Sequence, residues 1–342
     1  MKKLFYVLLI LLAVCALLAS CGGKDQSSES GAVTTAEELP DIELSGNFGG
    51  ADFNVLSAGN VAYTDFTAEE DASTALGIAQ YQCRTKVETD YNIKIVETAN
   101  KAYSVGGGPG FVAINKSVNA GDCDYDLALI AGYDVSVLAY NGFLYDMNSI
   151  PGIDLAKSWW DQRANESLSV RGVMFFTTGD ITVSDNDAAF CMMFNKKLLH
   201  NYGLEDSYQL VYDNRWTIEN FGKLCKTVTE DLDQDGVMNE NDRYGLLVWD
   251  DSIVGMVNAA GERCCTISED GVIELTFYSE RTLAALEQYT NIAYDRQYAL
   301  TFQRYVSSGI PLWKNDQGLF LTGLLGNVPR YRDMESDFGV LP

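Results

Sequence analysis

From Ala51 to Gly132 the chain repeatedly switches its apolar period between that of a strand and that of a helix. "ADFNVLS" reads as a strand, and "STALGIAQYQCRTKVETDY" reads as a helix with Leu76, Ala79, Cys83 and Val87 on one side. "NIKIVET" is a strand again. A glycine-rich turn, "SVGGGPG", leads into a short helix, "FVAINKSVNAG", and "YDLALIAG" is a buried strand. Strands that alternate with helices specify a parallel sheet covered on both faces, which makes the fold class α/β. The turn is not a phosphate loop, because it lacks the lysine and the Ser or Thr that follows it.

The middle of the chain continues the pattern. "VMFFTTGDITVSDNDAAFCMMFNKKLLHNYGL" predicts a strand, a polar break at Asp185 to Asp187, a second strand and a short helix. Asn195 is placed to cap that helix and Gly203 to end it. "RWTIENFGKLCKTVTEDL" predicts a helix capped by Thr217, with Glu219 in its first turn and Ile218, Phe221, Leu224, Cys225 and Val228 on one face. "RYGLLVWDD" reads as a strand. A long helix follows from about Glu280 to Tyr298, and "QGLFLTGLLGNV" and "DFGVLP" read as strands.

Between that capped helix and the strand after it lies "DLDQDGVMNEND", residues 231–242. A calcium loop of the EF-hand type takes oxygen ligands from positions 1, 3, 5, 7, 9 and 12 and needs glycine at 6. Asp231, Asp233 and Asp235 fill 1, 3 and 5. Gly236 is at 6, the carbonyl of Val237 is at 7, and Asn239 is at 9. Asp242 stands at 12, where a glutamate is usual; its shorter arm predicts weaker binding. The alternative is an acidic turn that binds nothing. A sensor needs a second helix to swing, and this unit is helix–loop–strand, so a bound Ca2+ would be a structural staple.

The N-terminus reads as a lipoprotein signal peptide over residues 1–21. Lys2 and Lys3 precede an apolar run from Leu4 to Leu18, and "LASC" places Cys21 at a lipobox. An uncleaved anchor is the alternative. Residues 22–40 are rich in Ser, Gly, Glu and Thr and read as a flexible tether reaching on the order of 25 Å. The roughly three hundred residues that remain predict two domains. A net charge of −24 argues against nucleic acid and anionic membrane surfaces as partners. Of eight cysteines, six lie beyond the lipobox: Cys83, Cys123, Cys191, Cys225, Cys264 and Cys265. None has metal spacing. They read as free buried thiols rather than a disulfide framework.

"MMFNKKLLHNYGLEDSYQLV", "RWTIENFGKLCKTVTEDLDQDGVMNENDRYGLL" and "GLFLTGLLGNVPRYRDMESDFGVLP" together resemble extracellular solute-binding proteins of ABC importers, in the family that includes maltose- and oligosaccharide-binding proteins. "YDLALIAGYDVSVLAYNGFLYDMNSIPGIDLAKSWWDQRANESL" is similar to that family's first lobe. The resemblance implies a two-lobe periplasmic-binding-protein-like fold with a hinge and an interlobe cleft. Lobe 1 would span 41–186 and lobe 2 would span 187–337 with the acidic loop, and 338–342 would begin the return crossing. It also implies a small-molecule ligand, importer membrane subunits as partners, and a lipid anchor holding the protein on the extracellular face of the cytoplasmic membrane. Because the family's chain normally continues past the return crossing, lobe 1 is expected to be incomplete.

Sugar sites stack pyranose faces on aromatic rings and fix hydroxyls with carboxylates and amides. Candidates at strand ends, the usual ligand side of such sheets, are Asn60 and Tyr63, Tyr133 and Asp134, Asp185 and Asp187, and Trp249 and Asp250. An oligosaccharide is favoured, with a peptide as the alternative. A glycoside hydrolase would need a carboxylate pair that no spacing singles out. With His200 the only histidine, His-based metal sites and Ser-His-Asp triads have almost no material. A calcium-dependent adhesion or scaffold module would usually duplicate its loop, and only one is present.

Overall fold

The structure, a computed structural model, describes residues 46–59, 66–102, 107–302 and 309–342. The expected signal segment, lipobox Cys21 and tether lie outside them, as do the candidates Asn60 and Tyr63. All described residues fall in one unit, Ser45–Pro342.

The opening alternation builds the expected parallel sheet. β1 (Ala51–Ala58), α1 (Ala75–Tyr91), β2 (Ile93–Asn100), α2 (Pro109–Ala120), β3 (Leu127–Ile130) and α3 (Gly132–Tyr140) follow in turn, and the strands order as β2-β1-β3. Leu56 and Ala58 of β1, Ile114 of α2 and Leu138 of α3 form the core, with Phe143 and Leu144 packed against it. Coverage is uneven. α1 has no buried residue, Leu76 is 51% exposed and Val87 38%, so the apolar side read from its sequence is not an interior face. The reason is position: α1 runs beside β2, the edge strand of a three-stranded sheet, where Glu88 accepts the amide of Ile95.

Residues 141–189 carry α4 (Gln162–Leu168) and α5 (Ser184–Asp187). The strand expected in "VMFFTTGD" does not form. Its polar groups go to loop partners instead: Met174 N donates to Asp146, Thr177 to Asn165 and Thr178 to Asp185, and the segment forms two isolated bridges, Val170–Val173 and Trp160–Gly179. The polar break at Asp185–Asp187 is the short helix α5.

The second sheet comes from the rest of the chain. Its elements are β4 (Phe190–Asn195), α6 (Lys196–Asn201), α7 (Ser207–Tyr212), α8 (Ile218–Val228), β5 (Tyr244–Trp249), α9 (Ser252–Ala259), the hairpin of β6 (Cys265–Ile267) and β7 (Ile273–Leu275), α10 (Glu280–Ala293), β8 (Ala299–Phe302), α11 (Ile310–Lys314), β9 (Gly318–Leu324) and β10 (Phe338–Leu341). The order is β10-β4-β9-β5-β8, with β5 parallel to β8 and β9, and β4 antiparallel to β9 and β10. Both faces are buried, which explains the near-continuous apolar runs. Phe194, Leu246, Val248 and Phe320 meet Phe221, Cys225 and Val228 of α8 and Tyr289, Ile292 and Ala293 of α10. Their neighbours Met193, Leu247 and Leu321 face Leu312, Trp313 and Tyr331. The predicted caps form: Asn195 accepts the amide of Leu198, and Thr217 that of Asn220. α8 lies so close to β5 that a Cβ at Gly245 would overlap the backbone of Cys225.

The six cysteines are free, but only Cys225 is buried and Cys191 half-buried. Cys83, Cys123, Cys264 and Cys265 are exposed, which corrects the expectation of buried thiols. Cys83 sits on the thinly covered α1, Cys123 in the turn before β3, and Cys264 and Cys265 at the start of the outlying hairpin. Burial pushes the Cys191 thiol up to about 11. No helix among the described residues is long and apolar enough to cross a membrane.

Candidate functional site

Three parallel strands of the second sheet, β5, β8 and β9, end on one edge, at Trp249, Phe302 and Leu324, and antiparallel β4 begins there at Phe190. The carboxyl edge of such a sheet is where ligands settle. Trp249 is half-buried, its amide donates to Thr322 Oγ1, and its ring stacks on Phe190 at 5.5 Å between centroids and 19° between planes. Asp250 follows in the turn into α9, half-buried. Asp185 and Asp187 reach the same edge by another route. α5 is docked on the turn after β9, where Gly326 meets the side chain of Asp187, and Leu325 donates to Ala189 O. Thr178 Oγ1 donates to Asp185 at 2.6 Å. The second-sheet edge thus gathers Asp185, Asp187, Trp249 and Asp250.

The first sheet places its two described candidates differently. Tyr133 is half-exposed in the first turn of α3, beyond the end of β3. Asp134 is 2% exposed, and its carboxylate accepts amides from Gly107, Gly108 and Phe111, which closes the N-terminus of α2. Its role there is to position that helix.

Two features escaped the sequence reading. Phe190 was hidden as the first residue of an apolar strand, and only the register shows that it tops the edge. Trp159 and Trp160 are half-buried on a stretch paired with 178–180: Trp160 bridges Gly179, and Asp180 N donates to Trp159 O at 2.8 Å. That pairing leads directly to Thr178 and Asp185. Of the five tryptophans, Trp216 and Trp313 belong to the core, so Trp159, Trp160 and Trp249 are the ones left for another purpose. The adjacent tryptophan pair was the available signal.

The acidic loop is closed at its base by a bridge between Glu230 and Arg243. One carboxylate oxygen each from Asp231, Asp233 and Asp235 lies within 4.8 Å of the others. Their other bonds are to backbone amides: Asp231 accepts from Gln234 and Gly236, Asp233 from Asp235, and Asp235 from Val237. The Val237 carbonyl accepts the amide group of Asn239. Asp242 is fully buried and accepts from Leu232 and Asn239, so it clamps the two ends of the loop together. Three converging carboxylates fit a hard cation.

The sequence pattern of the family described as bacterial extracellular solute-binding protein matches residues 66–323. No curated protein matches the chain. Among solved structures, it is similar to the galacto-N-biose-/lacto-N-biose I-binding protein of the ABC transporter from Bifidobacterium longum, in complex with lacto-N-biose. The identity is 14%, the TM-score 0.56, and the coverage 86% of this chain and 65% of that one. It is also similar to a sugar transporter from Rhizobium etli in an open conformation, at 13% identity and TM-score 0.50, covering 85% of this chain and 66% of that one. The chain therefore spans about two thirds of the length of these structures and has their two-lobe α/β fold.

Proposed function

Because the chain belongs to the family of bacterial extracellular solute-binding proteins, we propose that it binds an oligosaccharide reversibly in the cleft between its lobes and delivers it, without turnover, to the membrane subunits of an ABC importer. The observation that carries this reading is the stacked Trp249–Phe190 pair at the carboxyl edge of the second sheet, with Asp185, Asp187 and Asp250 beside it. A half-exposed aromatic face next to carboxylates offers the two contacts a pyranose uses, ring stacking and hydroxyl acceptance. The strands of the first sheet fall within 51–130 and those of the second within 190–341, which supports a first lobe at 41–186 and a second from 187, although β10, expected to begin the return crossing at 338, pairs with β4 in the second sheet. The test is titration of the chain with a glycan panel and a peptide panel. Saturable glycan binding lost in Trp249→Ala supports the reading, and binding confined to peptides, or release of sugar from the glycans, refutes it.

We also propose that the acidic loop binds Ca2+ through Asp231, Asp233 and Asp235. The Val237 carbonyl, Asn239 and Asp242 would complete the set by exchanging some of their present hydrogen bonds. The ion would supply charge neutralisation and fix the turn between α8 and β5. Lipidation at Cys21 stands as a proposal on its sequence alone; the mass of the mature N-terminal peptide tests it.

A further inference from the structure

We infer that a tip-to-tip contact between two small hairpins is a latch that holds the two lobes closed. This rests on the two-lobe reading above. The first hairpin is the turn Val170–Val173, with Arg171 at φ 52° and Gly172 at φ 76° between the bridged valines. It belongs to the body of the first sheet. Phe143 and Leu144 pack on that sheet's core, and the residues just after them hold the turn: Met147 N donates to Met174 O at 2.7 Å, and the side chain of Asn148 donates to Gly172 O. The second is the β6–β7 hairpin with Gly271 at its tip. It belongs to the body of the second sheet. Glu262, before it, is bonded to Ser279 and paired with Arg281, and α10, which these two residues begin, buries Tyr289, Ile292 and Ala293 against that sheet.

The tips touch through backbone. A Cβ built on Gly271 would lie 2.8 Å from the N, Cα and Cγ of Arg171. Such an approach is open only to glycine. A second bond flanks it, from Arg263 Nη1 to Ser167 Oγ of α4 at 2.8 Å. Arg171, Gly172, Ser167, Arg263 and the tip residues Glu269 and Asp270 are all exposed. A junction without buried apolar area is inexpensive to break and re-form, as a closing contact between moving bodies must be. Moving the bodies of the two sheets apart separates these tips. The latch therefore biases the protein toward the closed form before any ligand enters, and a ligand favouring that form gains from the bias.

The test is small-angle X-ray scattering of the ligand-free chain, which requires no knowledge of what the protein binds. Gly271→Asn keeps a residue that tolerates positive φ but sets its Cβ against the backbone of Arg171. The expected result is a larger radius of gyration and maximum dimension than wild type. Gly121→Asn is the control, since Gly121 has nearly the same φ, 76°, and nothing within 4 Å; it should scatter as wild type does. Arg263→Ala removes only an exposed side chain and should shift the scattering in the same direction by a smaller amount, which protects the test if the asparagine variant misfolds. Scattering identical to wild type for both Gly271→Asn and Arg263→Ala overturns the latch, as does an equal expansion in the Gly121 control. A glycan-binding failure with the expected expansion intact would remove the proposed ligand and leave the latch standing.

Discussion

Replacing Gly245 by alanine tests whether α8, β5 and the acidic loop between them behave as one rigid unit. The new Cβ would stand well inside 3.0 Å of the Cα, C and O of Cys225, and ordinary contact begins at 3.4 Å. Backbone atoms cannot rotate away as a side chain would, so α8 must retreat. A gap on the order of 0.5–1 Å forfeits about a quarter to a half of each contact it opens. Phe221 and Val228 are the large side chains α8 buries against the sheet. At about 1.5–3 kcal/mol each for full burial, the loss comes to roughly 1–3 kcal/mol, which matches the usual cost of overpacking. Urea unfolding followed by tryptophan fluorescence would register it as a lower midpoint at unchanged slope. At about 2–4 °C per kcal/mol for a domain of this class, the melting temperature should fall by roughly 2–12 °C. Gly132→Ala is the comparison, because nothing lies within 4 Å of its added carbon at the start of α3. If Gly245→Ala melts no earlier than Gly132→Ala, the close seating of α8 on β5 is not what holds this unit.

Three further outcomes are expected. Burial pushes the Asp316 carboxyl up, but hydrogen bonds from Lys197, Asn195 and Ser336 outweigh it and leave the group below its ordinary value. Its stabilisation is therefore full above about pH 4 and lost as pH falls through the lowered folded value, so Asp316→Asn should flatten the acid end of a stability-versus-pH curve; an equally steep curve contradicts this. Calcium should raise the melting temperature, by about 2.7 kcal/mol of linkage at a hundredfold excess over Kd, and Asp233→Ala should remove that rise; a wild-type melt indifferent to calcium and chelator refutes the site. Phe190→Ala should weaken glycan binding while the melting temperature changes little, since Phe190 is 44% exposed, and unchanged affinity would detach the stacked pair from the ligand.

Local chemistry was readable in the sequence wherever one short segment decides the outcome. Asn195 and Thr217 cap because their own side chains reach the amides three residues on. The strand–helix alternation gave the first sheet for the same reason. What could not be read was which surfaces meet. Leu76 and Val87 have helical spacing, yet they stay 51% and 38% exposed, because their helix falls beside an edge strand. The apolar run 173–176 looked like a strand, but a strand needs a neighbour, and Met174 bonds instead to Asp146 and Met147, which come near it only in the folded chain. Half the site was legible for a related reason. Trp249 ends its own strand, whereas Phe190 reaches the edge only because β4 runs antiparallel to β9.

The placement of β4 also constrains how the protein is made. Phe190 pairs with Leu324 and Asn195 with Phe338, so both flanking strands are synthesised long after β4 itself. Closing such long loops is slow. Until β9 and β10 emerge, "FCMMFN" is an apolar strand with two unpaired edges, the state most prone to sticking to another chain. In a family described as extracellular, such a delay has a use: a sheet that closes late leaves the chain easier to thread across a membrane, with one exposed apolar strand meanwhile.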